Sequence, residues 1–304
     1  MEELKTETVI AKHRAPLWFQ LGLALMFLFI LALFSGLGED TGALAQYKDN
    51  TSMITMLKVI QAVAVLFVFI LPVVLFSVVL RKEKLKFLNL GKRPKIAHLL
   101  VGLLVCIVAL PLVSGTSVMN SNMHLPEAMS GIENWMRVKE QAAAQTVELF
   151  FADKSTGGFI LNLFVVAFMA GLSEEIFFRG LIQRLLIENK VNLHVAVWLT
   201  AILFSAIHLQ FFGFIPRMLL GAVLGYLYAY TNNLWIPIIA HTVNNAFAVV
   251  MVFATGTITD DPLSKSEQAV GWPLMLSSTL IVTGMIFFLY KQRGKEIPEI
   301  SSAP

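Results

Sequence analysis

The sequence contains a single cysteine, Cys106, in a chain of 304 residues. One cysteine can form neither a disulfide within the chain nor a cysteine metal cluster, so both kinds of structural cross-link are excluded. Charged residues are also scarce, at 14%, and the net charge is only +3. A charge this small gives no indication of a nucleic-acid partner. The sequence shows no internal repeat and no low-complexity tract.

What the chain has in abundance is apolar residues. They make up 57% of the sequence, and the mean hydropathy is +0.73. Soluble domains contain only about 45–50% apolar residues. Here the apolar residues are gathered into runs of about 17–25, the length that spans a bilayer as a helix. The runs do not alternate as the strands of a transmembrane β-barrel would. We therefore predict an integral, multi-pass membrane protein, an all-α polytopic helical bundle.

About eight spans can be placed on these runs. The first apolar run lacks a clear small-residue cleavage site, so we expect an uncleaved first span and not a signal peptide. The predicted spans are Leu17–Leu37, about Met53–Leu80, Ile96–Ser114, about Gly158–Leu186, Leu193–Leu209, Pro216–Thr231, Trp235–Thr255 and Pro273–Tyr290.

The charges of the connecting segments orient these spans. Segment 81–95, RKEKLKFLNLGKRPK, is strongly basic, and basic residues also occur before the first span and after the last one. The connections on the other side are acidic. Because cytoplasmic loops carry an excess of Lys and Arg, the pattern predicts that both termini are cytoplasmic. Chain size and loop charges favour a bacterial cytoplasmic membrane.

We divide the chain into three parts. Residues 1–154 hold three spans and a long outer loop, residues 155–256 form a helical core, and residues 257–304 hold the last span and a basic tail. The long loop, 115–157, has apolar residues at helical spacing, with charged residues on much of the remainder. This pattern predicts an amphipathic helix, which could lie on the membrane surface or pack on the other spans.

An ionisable cluster lies inside the fourth predicted span, in the sequence AGLSEEIFFRGLI of residues 170–182. Ionisable groups at bilayer depth are costly, so they indicate a functional site. Glu175 and Arg179 are four residues apart and can pair on one helix face. Glu174 points about 100° away and lacks that partner. We therefore expect one carboxylate to be held by the arginine and the other to stay free for chemistry.

Two further polar clusters lie in later spans. Phe204 precedes His208 by four residues in the fifth span, and His241 precedes Asn244 and Asn245 in the seventh. A carboxylate, two imidazoles and an amide are suited to the activation of water, because carboxylate and imidazole can act as general bases. Imidazole and amide N–H groups can also stabilise an oxyanion.

Each of these residues also has a purely structural interpretation. Arg179 could extend to the lipid headgroups, and its pair with Glu175 could serve only to hold the helix. His208 could be an interfacial histidine, and Asn245 could join two helices by a hydrogen bond. The presence of all three clusters in one chain favours a shared site.

The three clusters, taken in order, resemble the motifs of a known family. They read Glu-Glu-x-x-x-Arg, Phe-x-x-x-His and His-x-x-x-Asn, with Leu-Trp-x-Pro-Ile leading into His241. This pattern resembles the CPBP intramembrane proteases, also called the CAAX protease and bacteriocin-processing family or the Abi family. The eukaryotic CAAX prenyl endopeptidases belong to it. The resemblance covers roughly residues 155–256.

The resemblance implies an endopeptidase that hydrolyses peptide bonds within or beside the membrane. It also implies a role for each motif residue. Glu174 would be the general base that activates water, assisted by His208. His241 and Asn245 would hold the oxyanion or a metal. Glu175 and Arg179 would orient the site.

The cofactor stays open at the level of the sequence. Glu174, His208 and His241 could supply three ligands to a divalent metal such as zinc, with one position left open. The sequence contains no H-E-x-x-H, whose helical spacing would indicate zinc. A glutamate and a histidine could also activate water directly. We favour this version, because Glu174 would otherwise be both ligand and base.

We therefore predict an intramembrane endopeptidase acting on a membrane-associated protein or peptide, with CAAX-type processing implied by the resemblance alone. The alternative is a non-proteolytic membrane scaffold or immunity protein of the same fold, in which Glu174 would have no catalytic task. A secondary transporter with a Glu/His relay is a third hypothesis, which the lack of internal symmetry disfavours.

Overall fold

The structure is a computed structural model, and it describes residues 16–23, 25–26, 47–81, 85–256 and 271–293. Within these residues the regular elements are helices, with no β-strand. Six of the helices are long and apolar enough to cross a membrane. The predicted all-α polytopic bundle is therefore confirmed. The helices are α1 (Thr51–Phe76), α2 (Ile96–Ser121), α3 (Ser130–Phe150), α4 (Thr156–Glu188), α5 (Leu193–Ala206), α6 (Phe214–Thr231), α7 (Trp235–Thr255) and α8 (Trp272–Gln292).

Two of the eight predicted spans are not among the six membrane-length helices of the described residues. The first, Leu17–Leu37, falls mostly outside the described residues, although residues 17–23 are helical. The fifth, Leu193–Leu209, ends at Ala206 and has 14 residues. A helix of this length measures about 21 Å. It is therefore shorter than the bilayer core of about 30 Å.

The long loop predicted at 115–157 is largely helical. Helix α2 runs seven residues further than the span predicted for it, to Ser121, and α3 is the expected amphipathic helix. At the C-terminal end of α3, Leu149 and Phe150 are buried. Nearer its start, Val138 is 62% exposed. Helix α3 thus packs on the spans at one end and presents apolar side chains at its surface elsewhere.

Helix α4 is not a regular α-helix along its whole length. It contains two π-helical segments, Leu163–Met169 and Ile176–Gln183, on either side of the α-helical turn Ala170–Glu175. A π-helix closes its hydrogen bonds from residue i to i+5, which changes the direction of the side chains that follow, and such segments are frequent at functional sites. The two glutamates lie in the α-helical turn between them.

Helices α4 and α6 are joined by a short polar ladder. Arg179 Nη2 donates to the carbonyl oxygen of Gly221 over 2.7 Å, and Gln183 Nε2 donates to that of Gly225 over 2.9 Å. A Cβ at Gly225 would lie 2.9 Å from Gln183 Oε1, and one at Gly221 would lie 3.1 Å from the ring of Phe204. The G-x-x-x-G spacing of α6 therefore lets the helices approach closely enough for these bonds.

Helices α4 and α7 make an equally close contact at Gly171. A Cβ at this position would lie 2.5 Å from Thr242 Oγ1 and 2.9 Å from its backbone nitrogen. No side chain larger than hydrogen fits there. Because His241 precedes Thr242, and Glu175 follows Gly171 by about one turn, this approach brings the histidine of α7 next to the glutamate of α4.

Residues 85–95 of the basic segment lie at one end of the bundle, against the turn between α6 and α7. Trp235 Nε1 donates to the carbonyl oxygen of Leu90 over 2.7 Å, and Asn233 Nδ2 donates to that of Lys92 over 2.9 Å. The order of the predicted spans puts the segment before α2 and the turn between α6 and α7 on the same side of the membrane. That this side is the cytoplasmic one stays a prediction.

Candidate active site

Glu175 and Arg179 form a buried ion pair on α4. Arg179 Nη1 donates to Glu175 Oε1 over 2.5 Å, and both side chains are 0% exposed. The i,i+4 spacing brings them together, as the sequence indicated. A buried pair needs additional hydrogen bonds to offset the lost hydration of its charges. The bond from Arg179 to the carbonyl of Gly221 supplies one of them.

Glu175 also holds His241. The Nδ1 atom of His241 lies 2.9 Å from Glu175 Oε1, and this histidine is 4% exposed. An ionised carboxylate only accepts hydrogen bonds, so we assign the proton of this contact to Nδ1. Glu175 therefore fixes both the arginine of its own helix and the ring orientation of the histidine on α7.

Glu174 has different surroundings from Glu175. Its side chain is 9% exposed and borders a cavity. Within the part of the chain that the structure describes, no hydrogen bond or ion pair reaches its carboxylate. The two neighbouring acids thus face different sides of α4, one towards Arg179 and one towards open space.

His208 lies in the turn that follows α5. Its Nδ1 atom is 2.8 Å from the carbonyl oxygen of Phe204. A carbonyl oxygen only accepts, so Nδ1 carries the proton. In the neutral ring the Nε2 atom then keeps its lone pair and can accept a proton. The four-residue spacing of Phe204 and His208 therefore has a structural meaning, because it sets the tautomer of the histidine.

The ring of Phe204 connects the three clusters. It is 2% exposed, and its centroid lies 5.0 Å from Arg179 Cζ. The same ring makes edge contacts with His208 at 5.2 Å and with His241 at 5.7 Å. A cation over an aromatic face is stabilised by the ring quadrupole. Phe204 thus packs against the arginine and both histidines at once.

A cavity of about 230 Å³ brings the predicted catalytic residues together. Glu174, His208, His241 and Asn245 all line it. Asn245 Nδ2 also donates to the carbonyl oxygen of Val166 over 3.4 Å, which leaves its second N–H to face elsewhere. Glu175 and Arg179 lie behind the cavity wall. Two potential proton acceptors, Glu174 and His208, and two potential hydrogen-bond donors, His241 and Asn245, therefore line one cavity.

The cavity also contains polar residues to which the sequence analysis assigned no role. Ser117 of α2, Asn244 of α7 and Arg217 of α6 line it. Arg217 carried a usable signal, because it is a lone cation at the start of an apolar predicted span, where charge is costly. Ser117 carried none, since a serine in an apolar run is common in membrane helices.

The connection between α5 and α6, residues 207–213, is clasped from outside the cavity. Asn120 at the end of α2 donates from Nδ2 to the carbonyl of Phe211 over 3.1 Å and accepts from the Ile215 N–H over 2.8 Å. Glu140 of α3 accepts from the Phe212 N–H over 3.3 Å. Because His208 belongs to this connection, its position depends on α2 and α3.

The start of α3 is tied down by a cluster around Glu133. The carboxylate accepts from the Leu125 N–H over 2.8 Å and from Arg137 over 2.6 Å, and His124 lies 3.0 Å away. The backbone donor of Leu125, followed by Arg137 and His124, lowers the pKa of Glu133 to about 2. This carboxyl is therefore ionised at any physiological pH.

The residues predicted as metal ligands do not form a metal site in the structure. Among the described residues, no three His, Cys, Asp or Glu side chains lie close enough to hold one ion. Glu174, His208 and His241 border the same cavity, and the bonds at Nδ1 leave Nε2 of each histidine as the atom that could bind an ion. The possible zinc set of Glu174, His208 and His241 is nevertheless not supported, because the three side chains do not lie close enough together in the described residues.

Comparison with known proteins points to one family. Residues 156–247 match the family model described as "Type II CAAX prenyl endopeptidase Rce1-like". Two curated relatives come from Bacillus subtilis (strain 168). "Putative membrane peptidase YdiL" is 32% identical over 91 residues, 30% of this chain and 37% of its own length. "Uncharacterized protein YpbD" is 28% identical over 100 residues, 32% of this chain and 46% of its own length.

The similarity is confined to part of each protein, and the chain spans less than half of the length of these relatives. No solved structure matches the chain significantly. The matched segment contains every residue of the glutamate, histidine and asparagine motifs. Over residues 156–247 the chain is therefore similar to the Rce1-like endopeptidases, in agreement with the resemblance to the CPBP family that the motifs show.

Proposed function

We propose that this protein is an intramembrane endopeptidase that hydrolyses a peptide bond of a membrane-associated protein or peptide. One observation carries the proposal. Glu174 faces a cavity together with His208, His241 and Asn245, while the adjacent Glu175 is buried in an ion pair. A carboxylate that forms no ion pair among the described residues, next to an imidazole, is suited to take a proton from water.

In this mechanism a water molecule binds between Glu174 and His208. The water gives a proton to Glu174 while its oxygen attacks the carbonyl carbon of the substrate. The Nε2 lone pair of His208 accepts a hydrogen bond and orients the water. The C–N bond then breaks as the amide nitrogen takes up the proton, which yields a carboxylate and an amine.

His241 and Asn245 are placed to stabilise the oxyanion. Asn245 would donate through the N–H that is not bound to Val166. His241 already directs Nδ1 to Glu175, so it can donate to the oxyanion only from a protonated Nε2. Donors fixed in place before the reaction stabilise developing charge without reorganisation.

Glu175 and Arg179 would act as orienting residues in this scheme. Neither lines the cavity, and both are completely buried. Their task would be to hold the His241 ring and to join α4 to α6 through Gly221. The mechanism uses no metal, because the geometry offers no cluster of three ligands among the described residues.

We take the substrate class and the membrane from the similarity to this family. The match to CAAX prenyl endopeptidases supports CAAX-type or related processing, and the relatives from a bacterium support a bacterial cytoplasmic membrane. The expectation that both termini are cytoplasmic rests on the loop charges. The lipid bilayer and a protein or peptide substrate are then the partners of the protein.

The proposal can be tested with purified protein in lipid nanodiscs. The probe is a peptide mixture from digested bacterial membrane proteins, and mass spectrometry detects new peptide termini. We expect new termini with the wild type and none with Glu174→Gln, which keeps the size of the side chain. Arg93→Gln is the matched control, because Arg93 is exposed and lies in the basic segment away from the cavity. Equal products from the wild type and Glu174→Gln would refute the assignment of the base.

A further inference from the structure

The cavity contains one cation that the family motifs do not include. Arg217 lies in the first turn of α6 and is the only Lys or Arg among the described residues that line the cavity. Its positive charge interacts electrostatically with Glu174 and with His208. Arg179, in contrast, is behind the wall and bound to Glu175.

The local structure holds the guanidinium of Arg217 in place. Its Nη2 atom donates to Gln210 Oε1 over 2.7 Å, and Nη1 donates to the backbone carbonyl of the same residue over 3.4 Å. Gly213 lies against the guanidinium, since a Cβ there would be 3.2 Å from Nη2. The clasp of Asn120 on Phe211 steadies the connection that carries Gln210 and Gly213.

A fixed guanidinium inside a membrane bundle is expensive, which indicates a function. Its planar fork of donors matches a carboxylate better than any other common peptide group. A substrate carboxylate entering this cavity would be repelled by Glu174, and the charge of Arg217 offsets that repulsion.

We propose that Arg217 is a specificity-determining residue that binds a carboxylate of the substrate next to the scissile bond. This rests on the proposed peptidase function and adds the substrate class, a peptide with a carboxylate near the cleaved bond. The carboxylate could belong either to the side chain of an acidic residue or to the free C-terminus of the peptide. A different role, in which Arg217 only tunes Glu174, would affect all substrates alike.

The experiment compares matched peptides on the purified full chain in nanodiscs. Quenched fluorescent ten-residue peptides are synthesised in pairs, with Asp or Asn at each position in turn, and with a free or an amidated C-terminus. We expect a tenfold to hundredfold higher kcat/KM for one carboxylate-bearing series, of the order of a charged hydrogen-bonded pair. The preferred series, acidic side chain or free C-terminus, identifies the source of the carboxylate.

Variants of Arg217 then test the assignment. Arg217→Gln should remove the preference, mainly through KM, while Arg217→Lys should retain part of it and Arg93→Gln all of it. The proposal is overturned if the wild type shows no preference for a carboxylate. It is also overturned if Arg217→Gln keeps that preference, or if it lowers kcat equally for every peptide.

A binding measurement separates this proposal from the peptidase mechanism. The affinities of the same acid and amide peptides, labelled with a fluorophore, are measured on Glu174→Gln and on Glu174→Gln/Arg217→Gln. Tighter binding of the carboxylate peptides to the first protein alone supports Arg217 even if no cleavage occurs. Equal affinities on both proteins overturn it, whatever the outcome for catalysis.

Discussion

The buried pair of Glu175 and Arg179 should dominate the stability of the catalytic core. Replacing Arg179 by leucine leaves the Glu175 carboxylate in an interior where both side chains are 0% exposed. Removing one partner of a buried pair costs about 3–5 kcal/mol. The carbonyl of Gly221 also loses its donor, and an unsatisfied buried acceptor costs about 1–3 kcal/mol. These contributions overlap, so we expect about 4 kcal/mol in total for Arg179→Leu.

An exposed pair of nearly the same length provides the control. Lys48 and Glu148 lie 2.6 Å apart, but their side chains are 43% and 49% exposed. Because water screens an exposed pair, Lys48→Leu should cost only about 0–1 kcal/mol. The difference between the two substitutions therefore measures the effect of burial.

The assay is reversible unfolding of the full chain in mixed micelles, with the free energy obtained from a denaturing-detergent titration. The double variant Glu175→Leu/Arg179→Leu removes both charges, so it should be more stable than Arg179→Leu alone. The reasoning would be refuted if Arg179→Leu cost no more than Lys48→Leu. It would also be refuted if the effects at Glu175 and Arg179 were simply additive.

Three further predictions concern the surroundings of the site. Gly171→Ala should cost about 1–3 kcal/mol of stability, because its methyl group would collide with Thr242, and the displaced α7 should lower peptide cleavage at least about tenfold. Asn120→Leu should speed hydrogen exchange in the connection before α6 and in the first turn of α6, because the hydrogen bonds to Phe211 and Ile215 are lost. The carboxyl of Glu133 should titrate with a pKa of about 2 in carbon-13 NMR. Its contribution to anchoring α3 is therefore fully present above pH 4.5, the ordinary pKa of a glutamate, and is lost as the pH falls through 2.

Each of these predictions has a contrary outcome. Gly284→Ala is the control for Gly171, because a Cβ there meets nothing within 4 Å, and equal effects of the two would contradict the steric argument. Asn122, which is exposed and bonds only within α2, is the control for Asn120. If Asn120→Leu and Asn122→Leu changed the rate of hydrogen exchange equally, the idea that Asn120 holds this connection would be contradicted. A midpoint near 4.5 for Glu133 would show that its partners do not hold it in solution.

Much of the fold could be predicted from the sequence because bilayer thickness sets helix length. The bounds of α4, α6, α7 and α8 differ from the predicted spans by two residues or fewer. The early end of α5 could not be read from hydropathy, since Ile207 and Leu209 continue the apolar run. The π-helical segments of α4 could not be predicted from the sequence either, because they change the hydrogen-bonding pattern without changing the composition.

The site was predictable where spacing decides geometry. The i,i+4 rule gives the pair of Glu175 and Arg179, and helical rotation separates Glu174 from it. The bond between Glu175 and His241 was not predictable, because it depends on the close approach of α4 and α7 at Gly171. The metal hypothesis depends on tertiary packing in the same way. Residue types allow a ligand set, but packing decides the distances between the ligands, and no three lie close enough together in the described residues.

The measurement that tests the central claim most directly is a comparison of peptide and membrane-protein termini in cells. One culture carries the wild type and the other carries Glu174→Gln at matched expression, with folding of both checked by the micelle assay. The account predicts N- or C-termini that occur with the wild type alone, which would also identify the substrate. Identical termini in both cultures, with both proteins folded and abundant, would contradict the account and support a non-proteolytic scaffold or immunity protein.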